Sequence, residues 1–192
     1  MLLAAGAGRR AGGPKALRRD ADGTAWLTRA VRVLVDGGCD PVLVVLGCGA
    51  AEASALLAAD PVTGADVRTL THPGWADGLA GSLRHGLDAA ARLRPAAVVV
   101  HLVDLPDVGP AVVRRLLAAA PPAPDVLARA GYDGRPGHPV LVGPVHLAPL
   151  AAGLAGDTGG QAYLAAHDAT VVGCGDLAAG HDVDVPAGSA RA

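Results

Sequence analysis

Leu2-Leu3-Ala4-Ala5-Gly6-Ala7-Gly8-Arg9-Arg10-Ala11-Gly12-Gly13-Pro14-Lys15 is an apolar run that breaks into four glycines and three basic residues. Leu2–Ala5 reads as a strand and the rest as a loop. Gly6, Gly8, Gly12 and Gly13 permit positive φ and bring backbone N–H groups close to an anion. Arg10 and Lys15 add cations suited to a polyphosphate. The bland alternative is an ordinary turn, since the chain holds 27 glycines. Gly6-Ala7-Gly8-Arg9-Arg10-Ala11 also satisfies the dinucleotide pattern G-x-G-x-x-G/A. That pattern needs a helix opening at the loop and an acid after the second strand. Pro14 blocks the helix, and the second strand ends in Leu46-Gly47-Cys48. A Walker A loop needs G-K-[ST], whereas Lys15 lies between Pro14 and Ala16.

Outward from this loop, short Val/Leu-rich runs alternate with longer Ala/Leu/Arg segments, the α/β rhythm. Strands are expected at Leu2–Ala5, Pro41–Leu46, Val67–Leu70, Ala97–Val103, Asp125–Ala128, Pro139–Val142 and Thr170–Val172. Helices are expected at Ala25–Asp36, Ala50–Ala59, Leu79–Leu93, Pro110–Ala119 and Gly160–His167, the first capped by Thr24 and stopped at Gly37-Gly38. Continuous apolar strands imply a parallel sheet covered on both faces. The expectation is one three-layer αβα domain, Rossmann-like with a mostly parallel sheet, over residues 1–192. Such sheets bind ligands at the carboxyl ends of their strands, here just after Ala5, Leu70 and Val103.

At 51% hydrophobic and 18% charged residues, the 192-residue chain is not disordered. A formal net charge of -2 gives no overall field for nucleic acid or an anionic membrane. Three widely spaced cysteines, Cys39, Cys48 and Cys174, fit a reducing compartment rather than disulfides or zinc. No apolar run is long enough to span a membrane, and Arg9-Arg10 comes too soon for a signal peptide, so a cytoplasmic protein is expected. The single lysine stands against fifteen arginines. In a chain whose composition replaces Lys by Arg, Lys15 is unlike a random surface charge.

Leu3-Ala4-Ala5-Gly6, Gly8, Arg10, Gly12 and Pro14-Lys15 together resemble the L-A-A-G-x-S-x-R-x-G-x-x-K signature of nucleotidyltransferases with a GT-A-like Rossmann fold, with Gly8 in the place of Ser. The resemblance implies a loop wrapped around a nucleoside triphosphate, with Arg10 and Lys15 on its phosphates. His72–Leu87 resembles a block of the molybdenum-cofactor cytidylyltransferases, the MocA-like branch of the MobA-like NTP transferase family. There Gly78 and Ser82 would lie against the nucleotide, and His72 replaces an Asn. Read without the family, Gly81-Ser82 opens a helix whose amides favour an anion, or is simply an exposed helix start. Trp75 is either core filler or a pocket wall.

Asp104 closes the apolar run Val98–Val103, where an unpaired carboxylate is costly, so it is expected to meet water, a cation or a metal. Mg²⁺ takes one or two carboxylates and completes its shell with water and phosphate oxygens. The resemblance assigns the metal to Asp104 in its D-x-P context and the second carboxylate to Asp182 or Asp184. Asp107 is expected to cap the following helix. Gly134, Gly137, His138 and Pro139 match a Y-x-G-x-x-G-H-P block that helps form the family's acceptor pocket. His138 is either a turn residue or a base or donor. Gly156, Asp157, Gly159 and Leu164 match a further block, where Gln161 replaces an Arg; Asp157 is assigned to the same pocket. His101 and His146 are expected in or beside the core, and Arg92, Arg94, Arg114 and Arg115 on solvated helix faces. The chain stops where family members continue into a helix; its first strand is also short for the family, so either the start codon is misassigned or the edge of the strand is trimmed.

The function implied is transfer of a nucleoside monophosphate from an NTP to a phosphate-bearing acceptor, with release of pyrophosphate. By resemblance the nucleotide is CTP, the acceptor molybdopterin, the cofactor Mg²⁺, and a molybdoenzyme or cofactor chaperone a partner; nucleic acid and membrane are not. Two alternatives stay open: guanylyl transfer from GTP (or use of another phosphorylated acceptor), and a non-catalytic nucleotide-binding partner protein.

Overall fold

The computed structural model describes residues 1–9, 12–59, 62 and 65–183. In chain order the elements are β1 (Leu2–Ala4), α1 (Trp26–Asp36), β2 (Val42–Leu46), α2 (Ala50–Ala59), β3 (Val67–Thr71), α3 (Leu79–Arg92), β4 (Val98–Leu102), α4 (Pro110–Ala119), β5 (Leu127–Tyr132), β6 (Arg135–Val142), α5 (Pro144–Ala152), α6 (Gln161–Ala166) and β7 (Thr170–Gly173). The strands form one seven-stranded sheet in the order β3-β2-β1-β4-β6-β5-β7. β6 pairs antiparallel with both β4 and β5, and the other pairings are parallel. This is the mostly parallel, three-layer α/β sheet expected.

Strand alternation sorts side chains to two cores. Leu2, Val44, Val99 and Leu141 face Leu27, Val31 and Leu34 of α1, Leu57 of α2 and Leu116 of α4. Leu3, Val45, Val100 and Val140 face Leu83 and Leu87 of α3, Leu147 and Leu150 of α5 and Leu164 of α6. Each fully buried leucine contributes about 2 kcal/mol, so both layers are held by apolar burial.

Four local expectations are corrected. Asp125–Ala128 and Pro139–Val142 are not separate parallel strands but the ends of a hairpin, in which Arg129 opposes Val140. Its turn is Asp133-Gly134, both at positive φ, the residue pair that a two-residue turn between twisted strands prefers. Helix α5 was not expected because Pro144 and Pro149 both fall within it. Gly143 caps it, Pro144 stands in the first turn where no N–H is needed, and Arg84 of α3 donates to the Ala151 carbonyl (3.0 Å) and to that of Leu154. Thr24 does not cap α1; Ala25 holds that position without a side-chain bond, while the Thr24 N–H donates to Asp22 Oδ1 (2.9 Å) in a preceding turn. The edge strand β3 is half exposed rather than covered on both faces.

Candidate active site

The loop after β1 turns back on itself, with the Gly13 N–H donating to the Gly8 carbonyl at 3.2 Å. Gly8 sits at φ +57, and a Cβ there would overlap the Gly13 carbonyl oxygen. The family's serine therefore has no room at this position in the loop as folded. Beyond Pro14, a 3-10 turn over Lys15–Leu17 aims Lys15 back across the end of β4. Its Nζ donates to Asp104 Oδ2 at 2.7 Å, with both side chains mostly buried. Residues 89 apart in sequence thus meet.

Leu3, Ala4, Ala5, Gly6 and Gly8 line a cleft of about 550 Å³ together with Lys15 and Asp104. Gly78, Ser82, Asp157 and Asp182 stand around the same cleft, and Trp75 forms part of its wall. Gly78 precedes α3 at φ +120; a Cβ there would come within 2.5 Å of the Gly156 carbonyl and 2.7 Å of Asp157 Oδ1. The Ala80 N–H donates to that Gly156 carbonyl at 3.0 Å, so one amide of the α3 N-terminus is already engaged. Asp157 accordingly lies beside Gly78 in this cleft rather than with Gly137 and His138. Arg10 and Asp184 lie outside the described residues.

Three hydrogen bonds bring Asp182 here. The Val183 N–H donates to the Asp104 carbonyl at 3.0 Å. Asp107 Oδ2 accepts the N–H groups of Ala179 (2.6 Å) and Gly180 (3.0 Å). Asp107 therefore fastens the C-terminal segment and does not cap α4, whose cap is Gly109.

A second cleft, about 350 Å³, adjoins the first and shares Leu3, Leu79, Leu102 and Asp182 with it. Gly137, His138, Gly159 and Gln161 line it, among leucines and valines of both β4 and α3. His138 Nδ1 is 3.4 Å from the Val100 carbonyl, and burial holds its pKa below the ordinary histidine value, so the ring is neutral near pH 7. The Tyr132 hydroxyl donates to the His138 carbonyl at 2.6 Å. Burial raises that phenol's pKa, so it remains a donor. Arg129, which the sequence reading passed over, also lines this cleft and is only 5% exposed. Its signal was a charge inside an apolar strand, on the face shared with Leu127.

His72 lies outside both clefts, its ring 5.1 Å from that of His85. His101 is buried in β4 as expected (1% exposed), and its Nδ1 has no partner among the described residues. His146 is held by the Tyr163 hydroxyl (2.9 Å) and the Asp125 carbonyl (3.1 Å). Arg114 and Arg115 are not merely solvated: Arg114 donates to the Asp36 carbonyl (2.7 Å), and Arg115 pairs with Asp176 (2.8 Å). A shallower groove of about 740 Å³, between the stretch near Asp22 and α2, shares no lining residue with the two clefts.

No group of three or more His, Cys, Asp or Glu side chains among the described residues could hold a metal by itself. Asp104 and Asp182 on one cleft nevertheless form a hard oxygen donor set. Two carboxylates suffice for Mg²⁺ when phosphate and water complete its shell, so the residues fit a metal that arrives with a polyphosphate. No helix among the described residues is long and apolar enough to cross a membrane.

Residues 1–171 match the model of the MobA-like NTP transferase domain. The chain is 32% identical to "Nicotine blue oxidoreductase" of Paenarthrobacter nicotinovorans over 194 residues, covering 96% of this chain and 90% of that protein. The crystal structure of Rv0371c from Mycobacterium tuberculosis is similar with a TM-score of 0.70 and 32% identity, over 90% of this chain and 85% of that one. A complex of Rv0371c with manganese aligns with a TM-score of 0.65 and 29% identity, over 96% and 88% of the two chains. With that fold and that loop, the chain belongs to the MobA-like NTP transferase domain family and is an enzyme of the nucleotidyltransferase class.

Proposed function

We propose that the chain, as one nucleotidyltransferase domain, is a MocA-like CTP:molybdopterin cytidylyltransferase working in the cytoplasm. The observation that carries the reading is the Lys15–Asp104 pair, 2.7 Å apart on a cleft walled by the glycine loop. A lysine point charge beside backbone amides suits a polyphosphate, and a carboxylate at a sheet's ligand edge suits its counter-cation. Little covalent chemistry falls to the protein in phosphoryl and nucleotidyl transfer; positioning and charge stabilisation dominate.

In this reading the loop amides, Lys15 and Arg10 hold the β- and γ-phosphates and stabilise the leaving pyrophosphate. Gly78 and Ser82 flank the nucleoside. Asp104 and Asp182, with Asp184 as the alternative second carboxylate, would hold Mg²⁺. That ion offsets phosphate charge and aligns the in-line path when bound. The second cleft, with Gly137 and His138, takes the acceptor next to the α-phosphorus. An acceptor phosphate oxygen is already nucleophilic, so the neutral His138 serves as a hydrogen-bonding wall and no general base is required. A molybdoenzyme or cofactor chaperone would then receive the product.

The test is pyrophosphate release from Mg–CTP and from Mg–GTP, each with and without molybdopterin. Acceptor-dependent release from CTP is expected. Release from GTP alone moves the reading to guanylyl transfer, and tight nucleotide binding with no release under any acceptor leaves a non-catalytic binding protein. The 32% identity to a protein named an oxidoreductase favours adding one arm. Protein-dependent electron transfer between a supplied reductant and a supplied oxidant would assign the same clefts a redox activity.

A further inference from the structure

We propose that Arg129 is the recognition residue of the second cleft and that this cleft selects a substrate by an oxyanion held against an apolar wall. The inference rests on the two-cleft reading above and names the chemistry of the second substrate.

Arg129 sits on β5 opposite Val140, on the face that looks toward α3 and α5. It is 5% exposed and lines the cleft. Its Nε donates to the Gly137 carbonyl at 3.3 Å, and no carboxylate pairs with it among the described residues. Among the described residues only its Nε is engaged, which leaves the donors of the two terminal nitrogens for a ligand in the cleft that Arg129 lines. Burial lowers the guanidinium's pKa, but an arginine remains charged in proteins.

A buried charge without a counter-ion is costly, and one partner removed from such a pair is strongly destabilising. The fold tolerates Arg129 because the working state supplies the partner. Nothing else lining this cleft can do so: His138 is neutral near pH 7, Gln161 is uncharged, and Asp182 lies at the rim shared with the first cleft. The rest of the wall is apolar or glycine, with Leu79, Leu83, Val100, Leu102 and Leu150 among it. A planar fork at one point of an apolar pocket matches a phosphate monoester or a carboxylate bidentately, with the apolar wall covering the rest of the molecule.

The probes are phenyl phosphate and benzoate, with benzyl alcohol as the uncharged control, titrated calorimetrically into the wild type, Arg129→Gln, Arg129→Lys and Lys15→Met. Both anions are expected to bind the wild type more tightly than benzyl alcohol, and the tighter of the two identifies phosphate or carboxylate as the natural group. Arg129→Gln should weaken the anions at least tenfold, about 1.4 kcal/mol, without weakening benzyl alcohol. Arg129→Lys should recover part of the loss and Lys15→Met should change it little. Arg129→Gln should also unfold at the same or a higher temperature than the wild type, because it removes an unpaired buried charge while keeping a donor for Gly137. A purely structural arginine would instead lower that temperature and leave anion binding alone. Equal anion affinity in the wild type and Arg129→Gln, or loss in Lys15→Met instead, overturns the proposal. If Arg129→Gln does not fold cooperatively, Arg129→Met carries the same comparison. Mg–CTP titrated into the same proteins separates the two readings. Anion binding through Arg129 without Mg–CTP binding sinks only the nucleotide assignment. Mg–CTP binding with Arg129-independent anion binding sinks only this one.

Discussion

Replacing Lys15 by Met and Asp104 by Asn, singly and together, tests whether the 2.7 Å pair is the centre of the chemistry or only a staple. At that separation and an effective dielectric of about 20, the bare attraction is about 6 kcal/mol. Desolvation offsets most of it, because the two side chains are only 17% and 15% exposed. A net coupling of about 2 kcal/mol remains, in the range of a charged hydrogen bond. Lys15→Met leaves the Asp104 carboxylate without its ammonium partner and Asp104→Asn removes the charge that Lys15 faces, so each is expected to cost about 3 kcal/mol of stability. The double variant should cost less than the two singles combined, by the coupling. Urea unfolding of the four proteins measures this cycle. Pyrophosphate release measures the other half: each single variant should lose at least about 100-fold in kcat/KM, as when one preorganised stabiliser of transition-state charge is removed. Unlike stability, activity should not recover in the double variant, since lysine and carboxylate serve different partners there. Near-normal release by both single variants would refute the site, and a coupling below about 0.5 kcal/mol would refute the pair itself.

Two other outcomes follow from side chains outside the glycine loop. Folding lowers the His101 pKa from 6.5 to about 3, chiefly by burial, with His138, the amino terminus and Arg29 adding to it. Above pH 6.5 the group is neutral in both states. Below it the unfolded chain takes up a proton that the folded chain refuses, and stability falls by up to about 1.4 kcal/mol per pH unit until about pH 3. His101→Leu should flatten that part of the profile in urea unfolding, leaving the contribution of His138, whose pKa is depressed in the same direction; parallel profiles for the two proteins would contradict it. Asp107→Ala removes the acceptor for the Ala179 and Gly180 amides. It should cost about 1 kcal/mol of stability, speed amide exchange over residues 179–183, and lower kcat/KM about tenfold by loosening Asp182. Wild-type kcat/KM would refute the tie between that segment and catalysis.

Local chemistry made much of the molecule legible before any coordinates. Period-two and period-3.6 patterns are properties of short windows, so all seven strands and five of the six helices fall where the apolar runs lie. The glycine loop was equally readable, because tolerance for positive φ belongs to the residue itself. Helix α5 escaped because Pro144 and Pro149 suppress a propensity that Arg84, 67 residues upstream of Ala151, restores. The antiparallel hairpin escapes because apolar content carries no strand direction, although Asp133-Gly134 marks its turn.

The sequence by itself determined the seven strands, five of the six helices, the glycine loop and the resemblance to a nucleotidyltransferase family. Tertiary structure decided which charges share a cavity. Lys15 reaches Asp104 because β1 and β4 are neighbours in the sheet. Asp157 stands on the first cleft against Gly78, which leaves no room there for a side chain. Arg129 becomes an unpaired cation in an apolar pocket only because β5 turns that face toward α3 and α5. Distance, burial and the dielectric around a charge are set by chain segments far apart in sequence, and those are fixed only when the sheet closes over both cores.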